Sequence, residues 1–276
     1  MNMEIGKDFV SLISYNNEML KPMKDKLFFT EKLPPGYSYL FVDFGCADGA
    51  LIRNLIKLYN NSSYEYLGYD CSETMISFAK KTFPGESLSS VEFTTSWEVV
   101  ESSTAFWEQR GSRYKTVIIL SSVIHEIYSY ESKEGVEEFW KKVKGFDFVV
   151  VRDMMCSSTI NRQSNPDFVM RIRKAPIGPI SKCLADFETR WGSIDNNKNL
   201  VHFLLKYRYT INWERECNEN YFSIYITDFL TKMEPEFRLD YFERFRVRFI
   251  EERIYEDFGI SLEDTTHIKA IFRRNV

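Results

Sequence analysis

Between Tyr39 and about Val151, short apolar runs of β character alternate with stretches whose apolar residues recur at helical spacing, and this rhythm constrains the fold more than any other feature. The runs are YLFVDFG, YEYLGYD, VEFTT, TVIILSSVI and FDFVVV. Leu51, Ile52, Leu55, Leu58 and Tyr59 mark one helical face, ended by Asn60 and Asn61. Ser72 suits an N-cap for a helix burying Met75, Ile76, Ala79 and Phe83, with Pro84-Gly85 as its stop. A weaker helix carries Trp97, Val100 and Trp107, and a stronger one Val136, Phe139, Trp140 and Val143 before Gly145. Because TVIILSSVI is apolar almost throughout, it reads as a central strand buried on both faces. The expectation is a doubly wound, mostly parallel α/β sheet.

After Asp153 the rhythm breaks, and about 80 residues pass before the next clear strand pattern, far more than an ordinary crossover needs. Residues 154–236 are therefore expected to form an inserted, mostly helical cap. The core would comprise 39–153 and 237–276, with 1–38 a helical lid segment. In the tail, Phe237, Leu239, Tyr241, Phe245 and Val247, and later Ile268, Ala270 and Phe272, alternate as strands do. Between them Ile250, Ile254 and Phe258 mark a helix ending at Gly259. The stretch MLKPMKDKLFFTEKLPPG reads as an amphipathic helix leading into the first strand, with Phe28 and Phe29 expected foremost to pack.

Composition narrows the class. With 44% hydrophobic and 28% charged residues, the 276-residue chain has material for a large core and no signature of disorder. Its net charge of −4 gives no overall attraction to polyanions. Five cysteines with no CxxC pair favour neither a disulfide framework nor a zinc site, so no metal is expected and a reducing, cytoplasmic setting fits best. The first residues lack a signal-peptide pattern, and no run approaches the roughly 18 apolar residues of a membrane span.

The strongest local signal is VDFGCADGA, residues 42–50, where Gly45 and Gly49 allow a sharp strand-to-helix turn and close approach of a ligand. A dinucleotide fingerprint would need glycine where Ala50 stands, and Asp48 would repel a pyrophosphate. Asp43 suits instead a cofactor with positive groups nearby. Asp70 closes the second strand 25 residues after Gly45, where a carboxylate can accept both hydroxyls of a ribose. With these residues the chain resembles the class I methyltransferase family, whose first motif is a strand ending in D/E-x-G-x-G-x-G and whose second is an acidic residue at the end of strand two. The resemblance covers roughly 39–153 and 237–274, with Ala47 replacing the usual middle glycine. It implies S-adenosylmethionine as cofactor, with Asp43, Gly45, Ala47 and Gly49 at its methionine end and Asp70 on the ribose. It counts Cys71 and Ser121 among the cofactor-lining residues, and it implies the sheet order 3-2-1-4-5-7-6 with the last strand antiparallel.

Ligands of parallel sheets sit at the carboxyl ends of the strands, so residues just after strands four and five should face the transferred methyl group. His125 is a candidate general base and Asp153 a second catalytic candidate. Glu126, Tyr128 and Arg152 are candidates for binding substrate. The expected activity is O- or N-methylation of a small polar molecule. Two alternatives stay open: an RNA methyltransferase using a basic rim of Arg162, Arg171, Arg173, Lys174 and Lys182, and a non-catalytic binding protein of the same fold. The interleaved Lys206, Arg208, Trp213 and Arg215 are neutralised by Glu214, Glu216 and Glu219, and read as a solvated helical face over buried Phe203, Leu204 and Tyr207.

Overall fold

The computed structural model describes residues 23–59, 61–83, 90–175, 178 and 180–275. The start of the expected lid helix, residues 19–22, and the stops at Asn60 and Pro84-Gly85 lie outside them. What is described of the lid is a single turn, α1 (Met23–Lys26), and a 3-10 turn at Phe28–Glu31.

Seven strands form one sheet: β1 (Ser38–Phe44), β2 (Glu65–Tyr69), β3 (Val91–Thr94), β4 (Tyr114–Ser121), β5 (Phe148–Met154), β6 (Phe237–Phe245) and β7 (His267–Arg274). Their order is β3-β2-β1-β4-β5-β7-β6, and β7 runs antiparallel to both neighbours. This is the class I methyltransferase sheet order. Helices α2 (Ala50–Tyr59), α3 (Glu73–Thr82), α4 (Trp97–Gln109), α5 (Ile124–Tyr130) and α6 (Lys133–Val143) connect the first five strands. Ser72 and Ser132 cap α3 and α6 by accepting from Met75 N and Gly135 N at 3.3 and 3.1 Å.

Side chains alternate across a strand, so the continuously apolar strands must be covered twice. Leu40, Val42, Ile118, Leu120, Val149 and Val151 face Trp107, Phe139, Trp140 and Phe229. Tyr39, Phe41, Val117, Ile119, Phe148 and Val150 face Phe29, Leu51, Ile52, Leu55 and Ile76. Leu58, expected inside, is 56% exposed, because α2 turns that position toward solvent near its last turn.

Strand four is shorter than its apolar pattern. Ser122 turns the chain with φ +60°, and Val123 and Ile124 lead into α5 instead of extending the strand. Between β5 and β6 run α7 (Pro166–Lys174), α8 (Ile180–Trp191), α9 (Asn197–Lys206), α10 (Trp213–Asn218) and α11 (Ile226–Met233). Asn165 and Asn196 cap α7 and α9. Cys183, Phe187, Leu200, Phe203 and Leu204 share a third apolar cluster with Ile254 and Phe258 of α12 (Arg248–Phe258), which ends at Gly259 with φ +64°. No helix among the described residues is long and apolar enough to cross a membrane.

Candidate active site

The turn after β1 is held by its own backbone. Gly45 N and Cys46 N donate to Tyr69 O at 2.8 and 3.0 Å, tying the turn to the end of β2. Gly49 has φ +74°, and a Cβ there would meet the Phe93 ring at 2.7 Å, so only glycine fits. Ala47 takes φ +45° despite its side chain, and its N–H donates to Asp70 Oδ2 at 3.0 Å. Asp70 Oδ1 accepts from Ser72 N at 2.9 Å. Each oxygen of Asp70 thus holds one backbone N–H and keeps further acceptor capacity. Asp48 is spent locally: it accepts from Ala50 N at 3.0 Å and pairs with Arg53 at 2.8 Å. Its charge is compensated within the turn, which corrects the expectation that it would repel a pyrophosphate.

Asp43 is buried beneath this turn without a hydrogen bond or ion pair to a described residue. Burial pushes its carboxyl up to about 7, against the opposing pull of Lys26 and helped by Asp70 and Asp48. Lys26 is buried too, and burial followed by repulsion from Arg152 brings its ammonium down to about 8. An acid and a base therefore lie near each other without a direct bond.

The second part of the site lies where β4 and β5 end. Asp153 is fully buried and accepts four hydrogen bonds: Val123 N and Ile124 N at 2.9 and 2.6 Å on Oδ2, and His125 Nδ1 and Met154 N at 2.8 and 2.7 Å on Oδ1. It fixes the first turn of α5 and the orientation of the His125 ring, the work of a positioning residue and not of the catalytic one the sequence suggests. His125 Nε2 lies 3.7 Å from Glu219 Oε2. Burial pulls the imidazole down, but Asp153, Glu219 and Glu126 outweigh it and hold His125 well above its ordinary range. These neighbours favour the protonated ring over the resting base that the sequence suggests. Burial raises Glu126 to about 7, with Arg215 and His125 opposing. Burial also acts to raise Glu219, yet His125 and Arg215 prevail and keep it ionised.

His125, Glu126 and Glu219 offer ligand atoms within 4.8 Å of one another, a donor set that suits a divalent cation. Arg215 already supplies positive charge there, at 3.1 Å from Glu126 and 2.9 Å from Glu219. The loop bearing Glu219 is anchored from within by Lys206, which is wholly buried and donates to Glu216 O and Glu219 O at 2.6 Å each. Its ammonium also lies 4.1 Å from the Tyr221 ring, whose hydroxyl donates to Glu216. Lys206 thus belongs to the interior and not to the solvated face its spacing suggested.

A cavity of about 330 Å³ opens over these groups. His125, Glu126, Arg152 and Ser122 line it at the ends of β4 and β5, Lys26 from the segment before β1, and Glu216, Glu219 and Tyr221 from the segment between β5 and β6. Gly45, Ala47, Gly49, Asp70 and Cys71 lie outside its lining, at the neighbouring strand ends. Ser121 closes β4 with its Oγ buried and unbonded. Tyr128 is not in the cavity; its hydroxyl accepts from Trp140 Nε1 at 3.1 Å within the core, which corrects its candidacy for substrate. Lys206, Glu219 and Tyr221 were missed because nothing local in the sequence joins them to His125; only the acidic spacing of Glu216 and Glu219 hints at a paired site.

Three of the five cations of the expected basic rim are paired with carboxylates. Arg162 pairs with Asp264 at 2.8 Å, Arg173 with Glu188 at 2.7 Å and Lys182 with Asp186 at 2.7 Å, while Arg171 donates to Gly259 O. Arg171 and Lys174 form no ion pair with a described carboxylate, so what remains for a polyanion is two charges and not a continuous rim.

No family model matches the chain, and no curated protein matches it. Among solved structures it is similar to the plantazolicin methyltransferase BamL, in complex with a triazolic desmethylPZN analog and SAH, at TM-score 0.46 and 12% identity over 98% of this chain and 90% of that one. It is also similar to PKMT2 from Rickettsia typhi in complex with AdoHcy, at TM-score 0.46 and 14% identity, covering 88% of this chain and 50% of that one. A third similar structure is described as a pericyclic reaction enzyme, at TM-score 0.44 and 10% identity over 92% of this chain and 47% of that one. Likeness of this degree concerns chain arrangement, and the chemistry must come from the residues themselves.

Proposed function

We propose that the chain is an S-adenosylmethionine-dependent methyltransferase acting on a small polar acceptor bound in the cavity beside His125. The observation that carries this reading is the unbonded buried pair Asp43 and Lys26 under a glycine turn, with Asp70 fixed at the next strand end. An amino acid terminus, bearing ammonium and carboxylate together, would satisfy both members of that pair at once. Asp70 retains the lone pairs that two ribose hydroxyls require. Gly45, Ala47, Gly49, Cys71 and Ser121 would complete the surroundings of the cofactor.

When bound, the cofactor supplies a methyl group on a cationic sulfur, open to in-line attack by an oxygen or nitrogen lone pair. The chain's own contribution is orientation and management of a proton. Glu126, with its carboxyl near neutrality, is the cavity group suited to accept a proton from the acceptor. His125, held as an imidazolium by Asp153, keeps Glu219 ionised and fixes the cavity floor. The pairing of Arg162, Arg173 and Lys182 with carboxylates favours a small molecule over RNA as acceptor.

Calorimetric titration with S-adenosylhomocysteine tests the cofactor assignment, using wild type and Asp70→Asn. Asparagine keeps one acceptor oxygen, so one hydrogen bond to a charged acceptor is lost, at about 1.5 kcal/mol, and binding should weaken about tenfold in the variant. Equal affinity in the two proteins, or no binding to wild type, refutes the assignment. Incubation with methyl-labelled cofactor and separate pools of metabolites, protein and RNA then identifies the acceptor class.

A further inference from the structure

Arg152 is 6% exposed, lines the cavity and forms no ion pair with a described carboxylate. Its Nη1 donates to Ser122 Oγ at 3.1 Å, and its Nε has no acceptor at all. The other groups near it do not repair this. Phe245 offers only a ring 5.6 Å away, His267 is buried and kept neutral, Asp25 acts on Arg152 through space but is engaged by Lys269 at 3.0 Å, and Asp153 has given its oxygens to His125 and three backbone amides. Lys26 lines the same cavity and repels Arg152. Two buried cations in one cavity, with a guanidinium N–H unanswered, form an electrostatic deficit that costs the free protein stability. The opposite wall differs, because Glu126 and Glu219 there are answered by Arg215.

We infer that the acceptor carries an oxyanion, a carboxylate or a phosphate, which binds against Arg152 at the end of β5. This rests on the methyltransferase reading for the word acceptor, while the anion site stands on Arg152 itself. A guanidinium with an unfilled N–H suits such a group, since its planar donors match carboxylate and phosphate oxygens. The polarity of the cavity then orients the molecule, with its anionic end at Arg152 and its reacting end toward His125 and Glu126.

The test titrates protein saturated with S-adenosylhomocysteine with sodium acetate and, separately, inorganic phosphate at constant ionic strength. Wild type should bind at least one of them saturably at one site. Tighter acetate indicates a carboxylate acceptor, and tighter phosphate a phosphorylated one. Arg152→Met should weaken that binding about tenfold or more and Arg152→Lys less, with S-adenosylhomocysteine affinity within about threefold of wild type in both. Arg152→Met should also unfold at or above the wild-type temperature, whereas an arginine needed to fasten Ser122 would leave it less stable. The inference is overturned if neither anion binds wild type, if Arg152→Met binds them equally well, or if it loses S-adenosylhomocysteine by the same factor. Should wild type not bind S-adenosylhomocysteine, the methyltransferase reading fails by itself, and the same titrations on unloaded protein still decide the anion site.

Discussion

Replacing Asp153 by asparagine should unfasten the floor of the cavity and reveal the charge on His125. The carboxylate is wholly buried and takes four donors, and one of them is a cation at neutral pH. Asparagine keeps one acceptor oxygen and presents an NH2 group to donors that the second oxygen now satisfies. Breaking a buried pair by removing one partner costs about 3 kcal/mol or more, equivalent to a fall in Tm of roughly 6 °C or more for a chain of this size. The pH dependence has a definite sign. His125 is raised from its ordinary 6.5 to about 10, so its contribution is fully present below pH 6.5 and is lost as pH rises through about 10. Asp153 is lowered, so its contribution is lost only as pH falls through its depressed value, well below neutrality. The gap in stability between wild type and variant should therefore narrow from pH 7 to pH 10. Denaturant unfolding at several pH values measures the gap, and nitrogen NMR of the imidazole rings measures the charge. The chain has three histidines, and burial pushes His202 and His267 well below their ordinary range. Wild type at pH 8 should show one imidazolium and two neutral rings, and the variant three neutral rings. Three neutral rings in wild type, or an unchanged unfolding midpoint in the variant, would refute the reasoning.

Other substitutions probe the same design at different points. Gly49→Ala should destabilise the turn by about 2 kcal/mol, combining a positive φ with a clash against Phe93, and Phe93→Leu should recover part of the loss in denaturant melts. Lys206→Met leaves the carbonyls of Glu216 and Glu219 without their buried donor and should cost about 2 kcal/mol by the same measurement. Glu219→Gln removes one of the charges that raise His125, so the imidazole should titrate at lower pH by NMR, with the fold intact by circular dichroism. Lys26→Met should weaken S-adenosylhomocysteine binding about tenfold while raising thermal stability, because a desolvated ammonium is removed.

The sheet was legible in the sequence because parallel strands buried on both faces must be apolar throughout, as Val117 to Leu120 and Phe148 to Val151 are. The glycine turn and Asp70 were legible for a similar reason, since their chemistry is local: a turn, a strand end and a fixed spacing. The half of the site that joins His125 to Glu219 was not, because it depends on how a loop 94 residues further along the chain returns over the end of β4. Lys206 shows the difficulty at one position. Its spacing on α9 matches a solvated lysine, and only the carbonyls of Glu216 and Glu219 closing over it make burial tolerable. Tyr128 shows the reverse error, since it follows a strand end that faces the site, yet α5 rotates it onto Trp140.

Where the chain buries charge is itself an argument about function. Lys26, Asp43 and Arg152, none of them in an ion pair with a described residue, could each be replaced by an apolar residue of similar size at little cost to the fold. Each lies at, or folds over, the carboxyl end of β1, β4 or β5. The amino-terminal ends of the same strands use a different economy: Asp147 there is matched to Lys115 at 3.0 Å and to Thr116 N at 2.9 Å, and is fully answered. Compensated charge at one end of a sheet and uncompensated charge at the other is the distribution expected when one end must wait for a ligand. Two cations and a carboxylate without ion-pair partners further require that ligand to carry groups of both signs, which a neutral acceptor or an apolar cofactor would not supply.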